Sequence, residues 1–413
     1  MLRIVALALS LVCLAPLHVA AEEAAALTRQ TLESGRFADG EKDIAARLAA
    51  KPGANEARFG LGLIRFAQAI ERFGQRQYRY GAHAPHNAMV PLLRLPVPPN
   101  PKPEEITYER QRENLQSLLD DLAGVEETLA PMTPDATKIV IDLNAVRLDF
   151  RGDGAADGGQ TLGAIIAGLQ QHEANPAPAA GPPFEVKFDY ADALWLRGYC
   201  HLLSASLEFV LAYDWRVTFD HVGHLFYPRV APPPFGANAT FAPPSGGWLG
   251  DDGQFADFFV LIHDIRWPLG EAVRMRSARA HLKQVVAMSR ASWKAILAES
   301  GDDREWIPGP KQKNGVITSL PVTQQQVDAW LRALDDFDAL LDGAKLLPHW
   351  RFAQGFNLRR FFEEPRDFDL VLLIAGYGAA PYLESGPMTP PAEWRDLNSA
   401  FGGNFLGYAF WFN

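Results

Sequence analysis

The strongest constraint in this chain is a contrast. Long stretches whose apolar residues recur at helical spacing are interrupted by segments dense in proline. Apolar residues three and four positions apart put one hydrophobic stripe on a helix, whereas a half-buried strand needs strict alternation. The first pattern predicts helices over 55–80, 104–130, 189–213, 257–288, 290–299, 323–341 and 364–374, and the second pattern is scarce. Thr323 stands three residues before Gln326, in capping-box order, and Gly343 follows the same helix as a stop. Proline lacks an N–H and fixes φ, so Pro91 to Pro103, with six prolines, must be an extended loop. Pro176 to Pro183 has the composition of a boundary between two halves, and Pro228 to Gly253 is a long Pro/Gly loop. The expectation is a mainly α, multi-helix globular or repeat-like fold with long Pro-rich loops. Its two subdomains are 22–175 and 184–413, joined by 176–183.

The first 21 residues read as an export signal. Arg3 precedes an apolar run from Ile4 to Leu17, and the small residues Val19-Ala20-Ala21 meet Glu22-Glu23. The run is short for a membrane span, which needs roughly 20 apolar residues. The expected product is exported, periplasmic or extracellular, with no integral membrane segment after cleavage. Removing Cys13 with the signal leaves Cys200 as the sole cysteine, so an intramolecular disulfide is excluded and a large core must hold the chain together. Its apolar surroundings, Trp195 to Leu203, predict a buried, inert thiol. The net charge of −10, with no basic block or aromatic-basic stripe, argues against nucleic acid as a partner.

Gly35-Arg36-Phe37 at an inter-helix turn, Ile44 in the following helix, Pro52 as a stop and Leu61-Gly62 opening the next stretch form a pattern over about 24–76. This pattern resembles a tetratricopeptide-repeat hairpin. It departs from that family at Gly40, where a packing alanine is usual, and at Arg58, where an aromatic is usual. The family is a protein-binding scaffold, so the resemblance implies an interaction role, with another envelope protein as the partner.

One segment has the order of a cation-binding loop. Asp149-Phe-Arg-Gly-Asp-Gly-Ala-Ala-Asp-Gly-Gly-Gln160 resembles a twelve-residue EF-hand calcium loop. Asp149, Asp153 and Asp157 fall at the first, fifth and ninth positions, Ala155 offers its carbonyl at the seventh, and Gly154 permits the bend. Arg151 replaces a carboxylate at the third position and Gln160 replaces the bidentate glutamate at the twelfth. The resemblance implies calcium held by Asp149, Asp153, Ala155, Asp157 and Gln160, or the same turn without an ion. The preceding stretch begins like a helix at Thr133-Pro134-Asp135 and also alternates as a hairpin would from Ile139 to Phe150, so both readings stand for it.

Asp220-His221-Val222-Gly223-His224 places two imidazoles three residues apart, on one face of a helix, as a transition metal needs. His83-Ala84-Pro85-His86 and His263-Asp264 are weaker constellations, each with a structural explanation. Asp335-Asp336 and Glu363-Glu364 read as solvated helix faces. No nucleophile elbow, phosphate-binding glycine loop or dinucleotide fingerprint is present. At the C-terminus Phe401, Phe405, Tyr408 and Phe412 recur at helical spacing, so that tail should dock into a core. Two function classes follow: an exported binding or scaffold protein with a structural calcium site, leaning away from enzyme, or an envelope hydrolase or metalloenzyme with its cleft near His221 and His224.

Overall fold

A computed structural model describes residues 23–83, 95, 97–154, 161–163, 183–233, 235–236, 252–313, 315–317 and 321–412. After a helical stretch at 23–34 come α1 (Phe37–Ala50), α2 (Asn55–Arg79), β1 (Ile106–Thr107), α3 (Tyr108–Leu129), β2 (Ile139–Asp142) and β3 (Glu185–Phe188). The order continues with α4 (Tyr190–Ala212), α5 (Arg216–Val222), β4 (Val230–Ala231), α6 (Asp252–Asp264), β5 (Arg266–Trp267) and α7 (Ala272–Ala298). It ends with α8 (Gln324–Leu341), β6 (Leu347–Pro348), β7 (Gly355–Phe356), α9 (Leu358–Glu363), β8 (Phe368–Asp369), α10 (Leu370–Ala375), β9 (Leu383–Glu384), α11 (Pro391–Ala400) and α12 (Phe405–Phe412). The fold is mainly α, as the periodicity predicts.

Two helix boundaries differ from that prediction, both at proline. The stretch expected as one helix over 257–288 is broken around Pro268, where Arg266 and Trp267 form β5. Beyond the break α7 runs on to Ala298 and absorbs the separate helix expected at 290–299. The helix expected at 364–374 begins only at Leu370: α9 ends at Glu363, Pro365 follows it, and Phe368 and Asp369 form β8 before the short α10. In each case the apolar spacing reads straight through a residue that cannot donate the helical hydrogen bond.

The described chain forms two compact units, each assembled from three stretches. Unit one holds residues 1–72, 121–197 and 291–321, and unit two holds 73–120, 198–290 and 322–413. Most of the Pro/Ala segment 176–183 lies outside the described residues, as do 1–22 with the expected export signal and 84–86.

In unit one, the helical stretch 23–34 turns at Gly35, which has φ +69°, into α1. Phe37 and Ile44 are buried. The glycine at position 40 has a steric reason: a Cβ there would lie 2.1 Å from the Thr31 Oγ1, and one on Gly60 would lie 2.1 Å from the Thr28 Oγ1. Threonines fill the space that a packing alanine would otherwise take. Arg58 also has work where it stands, donating to the Pro52 carbonyl at 2.6 Å and the Thr128 carbonyl at 3.3 Å. β2 and β3 pair antiparallel, with Ile139 opposite Phe188 and Asp142 opposite Glu185. The alternation from Ile139 thus resolves into a strand whose Ile139 and Ile141 face the core. Arg197 grips Glu126 through a fork of three contacts between 2.7 and 3.1 Å.

In unit two, β1 and β4 pair in parallel and carry Ile106 and Val230 into a cluster with Tyr80, Tyr108, Phe219 and Tyr227. The capping box at Thr323 and Gln326 is present, and Gly343 takes φ +69° behind α8. Lys283 and Arg290 of α7 converge on Asp338 of α8. Asp336 is not solvated: it accepts from Thr389 Oγ1 at 2.6 Å and pairs with Lys345. Phe401, Tyr408 and Phe412 are buried, and Trp330 meets the ring of Phe412 edge-on at 5.6 Å. The aromatic tail is therefore part of the core of unit two. Cys200 is buried as its surroundings predict. Among the described residues no helix is long and apolar enough to cross a membrane.

Candidate metal centre

The densest group of metal-capable side chains among the described residues lies in unit one and was not singled out from the sequence. Asp189, Glu299 and Glu305 each bring one carboxylate oxygen within 4.8 Å of the others, and Asp189 and Glu305 are buried. Local structure delivers each of them. The β3 strand ends at Phe188, so Asp189 falls at the junction with α4. There its Oδ1 accepts from the Ala191 N–H at 2.8 Å, while Asp192 Oδ2 accepts from the Asp189 N–H at 2.9 Å. This reciprocal arrangement satisfies orphan donors of the first turn of α4 and suits the positive end of its dipole.

Glu299 directly follows the last residue of α7, at the end of a helix that disfavours negative charge. Gln312 Nε2 donates to its Oε2 at 3.3 Å. Glu305 lies in the loop beyond, where its Oε1 accepts from the Asp303 N–H at 3.1 Å. The preceding Arg304 adopts φ +56°, a left-handed conformation rare for a side chain of this size, and its carbonyl accepts from the Lys187 N–H at 3.0 Å. That bond ties the loop to β3 and holds Glu305 against Asp189.

Burial is the largest influence on all four neighbouring carboxyls, and it favours the protonated form. It lifts Glu299 from 4.5 to about 7, with the charge of Asp189 adding to the effect. Asp189 and Glu305 are raised for the same first reason. Asp192 is raised well above its ordinary value by burial and then by Asp189. Lys138 acts in the opposite direction on Asp189, Glu299 and Glu305. The cluster therefore holds more carboxylate than its own cations balance.

An all-carboxylate donor set suits a hard divalent cation. Calcium holds oxygens at about 2.3–2.6 Å, so opposite ligands in its sphere lie roughly 4.6–5.2 Å apart, against roughly 4.0–4.2 Å for magnesium. Three carboxylate oxygens that all lie within 4.8 Å of one another can share the sphere of one such cation. Three carboxylates leave the remaining positions of a six- to eight-fold sphere to water or carbonyl oxygen.

The loop at 149–160 is described only in its first half, and Ala155, Asp157 and Gln160 lie outside the described residues. Asp149 closes a turn: its Oδ1 accepts from the Gly152 N–H at 2.8 Å and its Oδ2 from the Gly154 N–H at 2.7 Å. Both glycines take positive φ, of 71° and 81°, so the bend that the spacing implies is present. Asp153 is exposed. Glu71 accepts from the Asp149 N–H at 2.7 Å and is raised to about 7, chiefly by burial.

In unit two His221 Nδ1 meets Asp264 Oδ2 at 2.6 Å, and His224 Nε2 meets Asp257 Oδ2 at 3.5 Å. The two carboxylates are seven residues apart on α6, two helical turns, so the imidazoles engage separate partners. Asp264 is buried and is oriented toward His221, not toward its sequence neighbour His263, whose Nε2 lies 3.3 Å from Arg266. Another imidazole pair, His201 and His281, meets Nδ1 to Nδ1 at 2.9 Å.

Comparison with family models, with curated proteins and with solved structures gives no match to any of the three.

Proposed function

We propose that this chain is an exported, non-enzymatic binding protein whose unit one is braced by a calcium ion at Asp189, Glu299 and Glu305. The convergence of those three carboxylate oxygens within 4.8 Å carries the reading. A cation at this point offsets the mutual repulsion and burial that otherwise force protons onto the cluster, and it links two of the three stretches of unit one, 121–197 and 291–321. The role is structural. The pattern over about 24–76 that resembles a tetratricopeptide hairpin supports a scaffold role, and the export signal read in the first 21 residues supports a place outside the cytoplasm. The alternative of a hydrolase or metalloenzyme at His221 and His224 has less support, because those imidazoles engage carboxylates two turns apart.

The test is calorimetric titration of calcium into the chain from residue 22, stripped with chelator, at pH 7.5. Binding must displace the protons held by the cluster, so the measured heat should depend on the ionisation enthalpy of the buffer. Glu305→Gln should abolish the binding. Absence of a heat at millimolar calcium would overturn the ion site and leave a cluster that shares protons only.

A further inference from the structure

We infer that unit two docks on an anionic phospholipid surface through α10 and the flanking residues Trp350 and Tyr377. This goes beyond the calcium reading and does not depend on it. None of the six residues of α10, Leu-Val-Leu-Leu-Ile-Ala, is buried. Ile374 is 61% exposed, Tyr377 73% and Trp350 72%, with Val371 and Leu372 nearly half exposed. Leu370, Leu373 and Ala375 are half-buried, with Leu373 packed against the Phe356, Ala379 and Tyr382 cluster, while Val371, Leu372 and Ile374 are exposed. Single exposed apolar residues are ordinary, but an apolar helix face left at the surface beside exposed Trp350 and Tyr377 marks a contact. The helix is nonetheless firmly built: the Asp369 side chain caps it at Leu372 N–H, and Gly376 closes it with φ +102°.

Three observations favour lipid over a protein partner. From Leu370 to Leu383 the sequence carries no charged residue, so the exposed segment offers nothing that hydrocarbon would reject. Trp350 Nε1 donates to the Ile374 carbonyl at 2.9 Å, which fixes the indole beside the exit of α10, and Tyr377 follows the same exit. Tryptophan and tyrosine at the edge of an apolar surface suit the headgroup layer, where one end of the ring is wet and the other is not.

The third observation is charge. The nearby carboxylates are turned to backbone amides, Asp369 to Leu372 N–H and Asp367 to Leu269 N–H, both at 2.8 Å. Arg351 instead displays its guanidinium over the Trp350 ring, 4.5 Å from the centroid, on an exposed residue. A cation carried on the interfacial indole is placed to meet a lipid phosphate.

Vesicle flotation of the full chain tests this, with vesicles of phosphatidylcholine alone and with phosphatidylglycerol added to about a third. The unmodified chain should float with the mixed vesicles and less with the neutral ones. Ile374→Asp should weaken the partition by about tenfold or more, from the loss of an apolar side chain and the gain of a charge. Arg351→Glu should remove the preference for anionic vesicles, whereas Val217→Asp, at another exposed site, should change neither. Circular dichroism of each variant confirms that the fold is kept. No flotation of the unmodified chain, or equal loss in Ile374→Asp and Val217→Asp, overturns the inference. So does a sedimenting dimer that Ile374→Asp converts to monomer without any binding to vesicles, which assigns the patch to a second copy of the chain.

Discussion

Replacing Glu299 with Gln should stabilise this protein in chelator at high pH and weaken its response to calcium, two effects of opposite sign from one substitution. The size of the first comes from the carboxyl's displacement from 4.5 to about 7. At about 1.36 kcal/mol for each tenfold change in proton affinity, that displacement corresponds to roughly 3.4 kcal/mol. Glu299 keeps partial contact with solvent, so screening reduces this to about 1.5–2 kcal/mol. Glutamine retains an oxygen that can accept from Gln312, so little is lost by the change. Thermal melts in chelator at pH 8.5 should show a rise of about 2 °C for a chain of this size. At pH 4, where the native carboxyl is already protonated, the rise should vanish. With calcium at about a hundred times its dissociation constant the unmodified chain gains about 2.7 kcal/mol by mass action, and the variant should forfeit most of that gain. Equal destabilisation by Glu299→Gln at pH 4 and at pH 8.5 would refute the reasoning, because it would make Glu299 a packing residue and not a strained carboxylate.

Further expectations concern the same unit. Glu71 and Glu299 both hold protons more tightly when folded, so their contribution to stability is complete below about pH 4.5 and is lost as pH rises through about 7. Urea unfolding in chelator should show that decline, and a rise across the window would contradict it. Gly40→Ala forces a methyl group against Thr31 and should cost about 1–3 kcal/mol in urea unfolding, with most of the loss recovered in the Gly40→Ala, Thr31→Ala pair. Asp149→Ala leaves the Gly152 and Gly154 amides without their acceptor and should cost about 1–2 kcal/mol, with calcium affinity unchanged in titration. Loss of calcium binding in that variant would instead place the ion in the 149–160 loop.

The helices were legible because their signal is local. Apolar spacing, the Thr323 capping box and the Gly343 stop each lie within one stretch of chain, and each appears in the fold. The boundaries at Pro268 and Pro365 were visible as residues but overridden by an apolar rhythm that continues on both sides. The carboxylate cluster was not legible, for a different reason. Asp189, Glu299 and Glu305 come together through tertiary contacts, among them the bond from Lys187 N–H to the Arg304 carbonyl and that from Ser292 to the Ala191 carbonyl. What the sequence did show was acidic company for each: Asp192 three residues beyond Asp189, and Asp302 and Asp303 between Glu299 and Glu305. Burial, which separates a strained carboxylate from a solvated one, has no mark in composition. The reading of Asp336 as solvated failed on the same point.

The burial of Cys200 has a practical consequence. In the chain from residue 22 it is the sole cysteine, and its exposure is 1%. A thiol reagent can therefore modify the folded molecule only when α4 opens around that residue. The labelling rate under native conditions becomes a clock for such openings, read without heat or denaturant. When closing outruns the reagent, the rate reports the free energy of opening; when the reagent is in excess, it reports the opening rate itself. The same residue that makes the protein indifferent to an oxidising compartment thus turns each of its excursions into a countable chemical event.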